Sequence, residues 1–345
     1  MSKPTAVLIC PGRGTYNKTE LGTLARTHGV DPLIARWDAL REETGQETLS
    51  ALDEADRFQA SRHTTGDNAS ALIYACSALD AFAARQTHDI RAVTGNSLGW
   101  YIALAAAGAA GPLDGMRIVN TMGTLMHREG VGGQILYPFV DEDWREIEGA
   151  RADLLTLVSQ IDARDGMRLA PSIHLGGMLV VAGNDPALDA FQAALPRIED
   201  RYPLRLPNHA AFHTDLLSHV AAKGRETLGE DLFRQPEITL IDGRGALWAP
   251  LSTDVQALRD YTLGHQVTRT YDFTAAVQSA ARNVAPERFI VTGPGTTLGS
   301  AVAQALIAIG WQGIDSKRAF LDRQAKDPVV ISMGRADQRG LVVPD

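Results

Sequence analysis

The chain has 345 residues, 45% of them apolar, and a formal net charge of −8 at pH 7. This length and composition are typical of a globular protein with one large domain or two ordinary ones, each able to bury a core. No run of lysine or arginine is longer than two residues, so the sequence lacks the basic patch that nucleic acid binds. We therefore expect no nucleic-acid partner.

The first apolar run, 6–10, is too short for a signal peptide or a membrane span, and Pro11 and Gly12 interrupt it at once. The chain has two cysteines, Cys10 and Cys76, and neither has a histidine or an aspartate beside it. A buried thiol of this kind is typical of a reducing compartment, where disulfides are rare. We expect a cytoplasmic protein with no membrane partner.

Strand-like and helix-like segments alternate in the first half of the chain. The apolar patterns predict strands at 6–10 and 90–94, and helices at 32–43, 68–85, 98–110 and 113–128. Alternation of this kind favours an α/β fold with a parallel sheet.

The pattern changes after residue 130 and returns after residue 208. Between them the sequence predicts strands at 134–140, 154–160 and 178–182, and helices at 142–150 and 186–194. The later segments predict helices at 212–228, 253–261, 273–282 and 296–309, strands at 238–240 and 289–291, and either an edge strand or a loose tail at 328–331. We therefore expect an α/β-hydrolase-like large domain formed by 1–130 and 207–345, with an inserted ferredoxin-like α+β domain at 131–206.

The pentapeptide Gly95-Asn96-Ser97-Leu98-Gly99 has the Gly-x-Ser-x-Gly pattern and stands between a predicted strand and a predicted helix. In this context the two glycines permit a sharp turn that exposes the serine hydroxyl, while the next backbone N–H faces a developing oxyanion. The alternative is a glycine-rich turn with an incidental serine. The strand and helix on either side favour Ser97 as a nucleophile.

An activated serine needs a base, and the chain has nine histidines. His213 stands in a loop-like segment that leads into a predicted helix, where an imidazole can be held at the edge of a cleft. His209 and His213 are four residues apart, a spacing that can bind zinc, but there is no glutamate in the His-Glu-x-x-His position and no evident third ligand. We expect no metal.

Two further glycine loops follow predicted strands, at 11–14 and 292–295. Both would lie at the edge of the sheet where α/β proteins bind ligands. Neither completes a phosphate-binding or dinucleotide-binding pattern, so each by itself is best interpreted as a tight turn that requires glycine.

The order of these motifs, Pro-Gly-x-Gly, Gly-x-Ser-x-Gly, Phe-His-Thr and Gly-Pro-Gly, resembles that of the malonyl-CoA:acyl-carrier-protein transacylase family, which includes the acyltransferase domains of fatty-acid and polyketide synthases. The resemblance covers about residues 5 to 309. It implies that Ser97 is the nucleophile, that His213 is its base, and that the main-chain carbonyl of Gln266 orients the histidine.

The resemblance also implies that the backbone N–H groups of Leu98 and Arg13 form the oxyanion hole. The reaction would be ping-pong. Ser97 would take an acyl group from a coenzyme A thioester, and the phosphopantetheine thiol of an acyl carrier protein would remove it. No permanently bound cofactor is implied, since acyl-CoA is a substrate and the carrier protein is the partner.

Four positions in the acyl pocket depart from the family pattern. Malonyl-specific members hold the free carboxylate with an arginine, and an ungapped alignment from Ser97 places Met122 there. Asn96 stands for the usual histidine and Trp100 for the usual glutamate, so the sequence predicts a more apolar pocket that accepts a neutral acyl group at least as well as malonyl. Arg13 replaces a glutamine and adds a cation near the pocket mouth, where it could pair with a carboxylate or with coenzyme A phosphates.

Two other functions remain open at the level of the sequence. A hydrolase would use the same Ser97 and His213 to release acyl groups from thioesters, because water and a thiol compete for the same acyl-enzyme. A non-catalytic docking domain would need neither residue, so their presence argues against it. The sequence therefore favours an acyltransferase whose acyl group is undetermined.

Overall fold

The computed structural model describes residues 2–343. Its strands are β1 (Thr5–Cys10), β2 (Asp89–Gly95), β3 (Gly133–Pro138), β4 (Leu169–Leu175), β5 (Met178–Gly183), β6 (Leu204–Arg205), β7 (Thr239–Ile241), β8 (Leu247–Trp248), β9 (Tyr271–Asp272), β10 (Arg288–Val291) and β11 (Val330–Ser332). Its α-helices are α1 (Thr23–His28), α2 (Pro32–Glu43), α3 (Leu49–Asp53), α4 (Ala60–His63), α5 (Gly66–Thr87), α6 (Leu98–Ala106), α7 (Pro112–Glu129), α8 (Ala150–Asp162), α9 (Asp185–Ala194), α10 (Ser218–Thr227), α11 (Val255–Asp260), α12 (Gln266–Thr268), α13 (Phe273–Val284), α14 (Leu298–Ile307), α15 (Lys317–Lys326) and α16 (Ala336–Arg339).

The larger sheet has the strand order β11-β10-β1-β2-β7-β8. All neighbouring strands in it run parallel except β8, which forms an antiparallel edge against β7. The strands β1 and β2 lie at its centre, and their nearly continuous apolar runs fit a sheet that helices cover on both faces. This is the α/β architecture that the alternating sequence pattern predicted.

The smaller sheet has the order β6-β3-β5-β4-β9. Its first four strands pair antiparallel and are connected as β-α-β-β-α-β through α8 and α9, which is the ferredoxin-like arrangement. One apolar face of this sheet packs on the two helices in a core of its own, built around Ile135, Val158 and Phe191. The fifth strand, β9, comes from the second half of the chain and pairs parallel to β4, so it joins the smaller sheet to the segment that holds Gln266.

Two elements that the sequence predicted in the inserted region are wrong. Residues 142–150 do not form a helix; they form turns and an isolated bridge between Val140 and Glu146, ended by Gly149 in the left-handed conformation. Residues 154–160 are not a strand, since they lie within α8. The apolar run there resembles a strand, but its buried residues Leu154, Val158 and Ile161 recur at helical spacing and cover the small sheet. Strand β4 was missed.

The conformation of three other regions became clear only in the tertiary structure. The predicted helix 212–228 begins only at Ser218, after a single 3₁₀ turn, because His213 has a positive φ of 60°. The run 328–331 belongs to an edge strand, β11, which pairs with β10. A π-helical turn over Tyr261–His265 joins α11 to α12. Within residues 2–343 no helix is both long and apolar enough to cross a membrane.

Candidate active site

Ser97 occupies a sharp turn between β2, which ends at Gly95, and α6, which begins at Leu98. Its backbone has φ 55° and ψ −110°, a conformation that non-glycine residues rarely adopt. A Cβ on Gly95 would collide with the main chain of Gly99, and a Cβ on Gly99 would collide with the main chain of Cys10. Both glycines are therefore required for the turn, which holds the serine hydroxyl at the end of the strand.

The hydroxyl of Ser97 is hydrogen-bonded to His213, with 2.7 Å between Oγ and Nε2. The other ring nitrogen of His213, Nδ1, lies 2.6 Å from the main-chain oxygen of Gln266. Because a carbonyl oxygen only accepts, Nδ1 carries the proton and Nε2 accepts from the serine. The arrangement has the order hydroxyl, imidazole, acceptor that a serine nucleophile needs, with a carbonyl in place of a carboxylate.

His213 is buried, with 4% of its surface exposed. Burial lowers the pKa of His213 to about 4, and the hydrogen bond to the Gln266 carbonyl opposes this shift only in part. The imidazole is therefore neutral at pH 7. A neutral imidazole can take the serine proton, so the ring is in the protonation state that a general base requires.

The side chain of Gln266 reinforces the arrangement from the other side. Its Nε2 donates to the main-chain oxygen of Ser97 at 3.1 Å, and Tyr101 donates its hydroxyl to Oε1 at 2.8 Å. Tyr271 donates to the carbonyl of Gly95 at 2.6 Å, and its ring lies 5.4 Å from that of His213. Sequence reasoning missed Tyr101 and Tyr271 because no motif marks them; only the fold brings them to the turn.

Leu98 and Arg13 are the residues whose backbone N–H groups the sequence predicts to form the oxyanion hole. Leu98 is the first residue of α6, and Arg13 lies in the glycine loop after β1. Both residues line the cavity beside Ser97, and within residues 2–343 neither N–H donates a hydrogen bond. Free N–H groups at a helix start can stabilise an oxyanion, which is the role that the sequence analysis expected of them.

The cavity beside Ser97, called here the Ser97 cavity, has a volume of about 40 Å³. Its lining is mostly apolar and comes from the loop after β1, the turn at Ser97, α5, α6, α7, α12 and the segment before α10: Arg13, Ser70, Ser97, Leu98, Tyr101, Met122, Gly123, Met126, Phe212, His213, Gln266 and Val267. A small, mostly apolar cavity next to a nucleophile is suited to a small acyl group, because it leaves few wrong poses.

His209 does not share a site with His213. Its Nδ1 lies 2.7 Å from Oε1 of Gln134, a residue of β3 in the smaller sheet. Burial, with the nearby charge of Arg13, lowers the pKa of His209 to about 3. Within the described part of the chain, no group of three or more His, Cys, Asp or Glu side chains is placed to hold a metal ion.

The chain is similar to malonyl-CoA:acyl-carrier-protein transacylases in sequence and in fold. The malonyl CoA-acyl carrier protein transacylase of Salmonella typhimurium is 26% identical over 211 residues, which is 60% of this chain and 63% of that protein. The match therefore spans less than two thirds of the curated relative. No protein-family model matches the chain.

The solved structures cover nearly the whole chain. The malonyl-CoA:acyl carrier protein transacylase of Xanthomonas oryzae superposes with a TM-score of 0.75 at 20% identity, over 99% of this chain and 98% of that one. A malonyl-transacylase in complex with its type II polyketide synthase acyl-carrier protein superposes with a TM-score of 0.70 at 20% identity, over 88% of this chain and 93% of that one. The chain has the transacylase fold. The family resemblance that the motif order predicted is confirmed.

Within the transacylase fold, the four unusual positions have different surroundings. Met122, on α7, lines the Ser97 cavity and is 1% exposed, with its sulfur against Gly224 of α10. Trp100 does not line the cavity, so the expectation that it forms an apolar pocket wall is wrong. It points into the core, where its Nε1 donates to Thr262 at 3.0 Å and its ring packs edge-on against Tyr261.

Asn96 is also absent from the cavity lining. It packs against Gly12 of the first glycine loop, and its buried Oδ1 has no hydrogen-bond partner within residues 2–343. Asn96 precedes the turn and Trp100 lies one residue past Gly99 on α6, so residues close to Ser97 in sequence need not share its cavity. Of the unusual positions, only Met122 and Arg13 border the cavity.

Of the two further glycine loops, only the first reaches Ser97. Gly12 packs on the main chain of Asn96, whereas Gly293 and Gly295 line a separate cavity of about 220 Å³ that also contains Asp80. A third space, a cleft of about 230 Å³, also borders His213 and is lined by residues of β4 and of the segment that follows Gln266. His213 thus borders both the Ser97 cavity and a wider cleft.

Proposed function

We propose that the chain is an acyltransferase that moves an acyl group from a coenzyme A thioester to the phosphopantetheine thiol of an acyl carrier protein, through an ester on Ser97. The observation that carries the proposal is the hydrogen-bonded series of Ser97, neutral His213 and the Gln266 carbonyl beside a small, mostly apolar cavity. The similarity to transacylases, one of them in complex with its carrier protein, supports the choice of donor and acceptor.

In the first half-reaction, Oγ of Ser97 attacks the thioester carbonyl while Nε2 of His213 takes the hydroxyl proton. The carbonyl oxygen becomes an oxyanion that accepts hydrogen bonds from the N–H groups of Leu98 and Arg13. Collapse of the tetrahedral intermediate breaks the carbon–sulfur bond. The thiolate of coenzyme A leaves with the proton from His213, and the acyl group stays on Ser97 as an ester.

The second half-reaction reverses these roles. The carrier-protein thiol gives its proton to Nε2 of His213 and attacks the ester carbonyl, and the same two N–H groups hold the oxyanion. When the carbon–oxygen bond breaks, Oγ recovers the proton from His213. The Gln266 carbonyl keeps the proton on Nδ1 throughout, so Nε2 remains the nitrogen that exchanges protons.

Intact-mass spectrometry tests the proposal directly. Incubation with acetyl-CoA and with malonyl-CoA is expected to add one acyl mass to the protein, and addition of a phosphopantetheinylated carrier protein is expected to move that mass to the carrier. Incubation of the acyl-enzyme in buffer alone is the control. If the mass disappears as fast in buffer as with the carrier, the chain is a thioester hydrolase.

A further inference from the structure

The guanidinium of Arg13 is a cation in an unusual position, at the wall of the Ser97 cavity. Its side chain lies over the ring of Phe212, which lines the same cavity, with 5.5 Å between Cζ and the ring centroid. Its hydrogen bond within residues 2–343 runs from Nη2 to the main-chain oxygen of Thr64 at 3.0 Å. No salt bridge to a carboxylate is formed within the described residues. Four of the five N–H donors of Arg13 therefore remain to be matched.

A second buried arginine shows how the fold satisfies such a group when its role is structural. Arg41 is fully buried, and it donates to the main-chain oxygens of Glu47 and Asp67 and to the side-chain oxygens of Asn68 and Asn120. Its donors are consumed by acceptors that tie α2 to α5 and α7. Arg13, in contrast, has one hydrogen-bond acceptor, the Thr64 carbonyl, and borders the Ser97 cavity.

The charge of Arg13 persists at neutral pH. Burial lowers the pKa of Arg13 to about 10, and the negative charge of Asp67 opposes the shift. Arg13 is partly buried, and a cation that is removed from water without full pairing is costly unless a ligand completes its shell. An anionic ligand there has one cationic partner, because the other polar side chains that line the cavity are uncharged at neutral pH: Ser70, Ser97, Tyr101, His213 and Gln266.

We propose that Arg13 binds the free carboxylate of a carboxyacyl thioester and so selects the acyl group that reaches Ser97. The inference rests on the proposed acyl transfer and names the substrate class for it. On α7, the position where the family resemblance places a cation holds Met122, so the charge would come from the loop after β1 instead. Arg13 would then act twice, with its backbone N–H on the oxyanion and its guanidinium on the carboxylate.

With Arg13 as the carboxylate partner, the expected acyl preference changes from a neutral group, which the sequence predicted, to a carboxyacyl group. The sequence showed a missing cation at Met122 and two apolar or neutral replacements at Asn96 and Trp100, and predicted a preference for neutral acyl groups. Asn96 and Trp100 do not line the cavity, whereas Arg13 does. The electrostatic character of the cavity therefore follows from Arg13.

The test measures kcat/KM for loading of Ser97 with malonyl-CoA, with its methyl ester and with acetyl-CoA. The wild-type protein is expected to prefer malonyl-CoA to the methyl ester by about 10 to 100-fold, because esterification removes the charge but keeps the chain. Acetyl-CoA, which is smaller, checks that steric exclusion does not cause the difference. This comparison needs no variant and so does not depend on how a variant folds.

The Arg13→Gln variant is expected to lower the malonyl-to-acetyl ratio of kcat/KM by about 10 to 100-fold. Arg13→Lys, which keeps the charge without the fork, should give an intermediate ratio. Arg269→Gln is the matched control, because Arg269 is an exposed arginine of the neighbouring cleft; its ratio should stay within about 2-fold of wild type.

The outcomes separate the inference from the proposed function. If acetyl-CoA and the methyl ester load Ser97 as well as malonyl-CoA does, or if Arg13→Gln leaves the ratio unchanged, the role of Arg13 is wrong and acyl transfer by Ser97 stands. If none of the thioesters acylates the wild-type protein, the proposed function itself is wrong, and the assignment of Arg13 is overturned with it.

Discussion

The Ser97 cavity and the cavity that contains Gly293, Gly295 and Asp80, called here the Asp80 cavity, lie at the same edge of the larger sheet. Each contains a histidine with a buried hydrogen-bond acceptor. In the first, His213 contacts the hydroxyl of Ser97 and the uncharged carbonyl of Gln266. In the second, Nε2 of His28 lies 2.9 Å from Oδ1 of the carboxylate of Asp80. The two pairs differ in how many partners the acceptor already has.

Asp80 is saturated. It is 2% exposed, and besides His28 it accepts from Arg339 at 2.7 Å and from the backbone N–H of Gly293 at 2.7 Å. Burial would raise the pKa of Asp80, but the hydrogen bonds from His28 and Arg339 lower it below its ordinary value. The cluster ties α1, α5 and α16 to the glycine loop after β10, which is a structural role.

The comparison indicates what distinguishes His213, the proposed base, from His28, which has a structural role. A carbonyl fixes the tautomer of His213 without adding a charge, so the ring stays neutral and its second nitrogen faces a hydroxyl at a cavity. The carboxylate of Asp80 is instead surrounded by His28, Arg339 and the Gly293 N–H, which hold it in place. Each of the following experiments tests one side of this contrast.

Ser97→Ala gives the largest expected effect. Removal of the hydroxyl removes the nucleophile, so covalent loading by acyl-CoA should disappear, while the midpoint of thermal unfolding should change by only a few degrees. Intact mass and circular dichroism measure the two quantities. An acyl adduct of normal stoichiometry on this variant would show that Ser97 is not the acylated residue.

His213→Ala is expected to slow loading by about three orders of magnitude, because the serine loses its base. His209→Ala is the matched control, since it removes a buried imidazole whose Nδ1 faces Gln134 instead of Ser97. Rates of coenzyme A release give the comparison. Greater damage from the His209 variant would contradict the assignment of the base.

The Asp80→Asn variant tests the structural role of the Asp80 cluster. Loss of the charge leaves Arg339 without its carboxylate, so we expect a loss of about 2 to 3 kcal/mol in the free energy of unfolding, with loading of Ser97 altered by less than about 2-fold. Asp114→Asn, which removes a partly exposed pair with Arg117, should cost under about 1 kcal/mol. Urea titration measures both; equal losses would mean that the Asp80 cluster is not special.

A change of pH between 8 and 5 is expected to alter kcat/KM for loading of Ser97 least. Because burial lowers the pKa of His213 to about 4, kcat/KM for loading should stay flat from pH 8 to about 5 and fall only as pH drops through about 4. An unshifted histidine would show its loss near pH 6.5 instead. The rate of coenzyme A release, followed at low temperature, distinguishes the two profiles. An inflection near 6.5 would mean that the base is solvated.

Local sequence determined the parts of this protein that depend on neighbours in the chain. The glycines around Ser97 prescribe the turn because a Cβ at either position has no room, and the apolar runs of β1 and β2 prescribe buried strands. Motif order then identified Ser97, His213 and Gln266 together, although 116 residues separate the first two. The segment 154–160 within α8 was wrongly predicted to be a strand, because a short run of apolar residues interrupted only by Thr156 fits a strand as well as a helix.

Only the tertiary structure decided which side chains share the cavity. Asn96 and Trp100 are close to Ser97 in sequence but do not line the cavity. Asn96 packs against Gly12 before the helix begins, and Trp100 lies on a side of α6 that faces Thr262. Tyr271 reaches the site from a distant part of the chain, through packing that no motif encodes. Phe212 precedes His213 in the Phe-His-Thr motif, but only the fold places it at the cavity. The same is true of the Arg13 guanidinium, whose neighbours Thr64 and Phe212 come from distant parts of the chain. Its burial, and hence its electrostatic effect on an acyl group, exists only once the chain has folded.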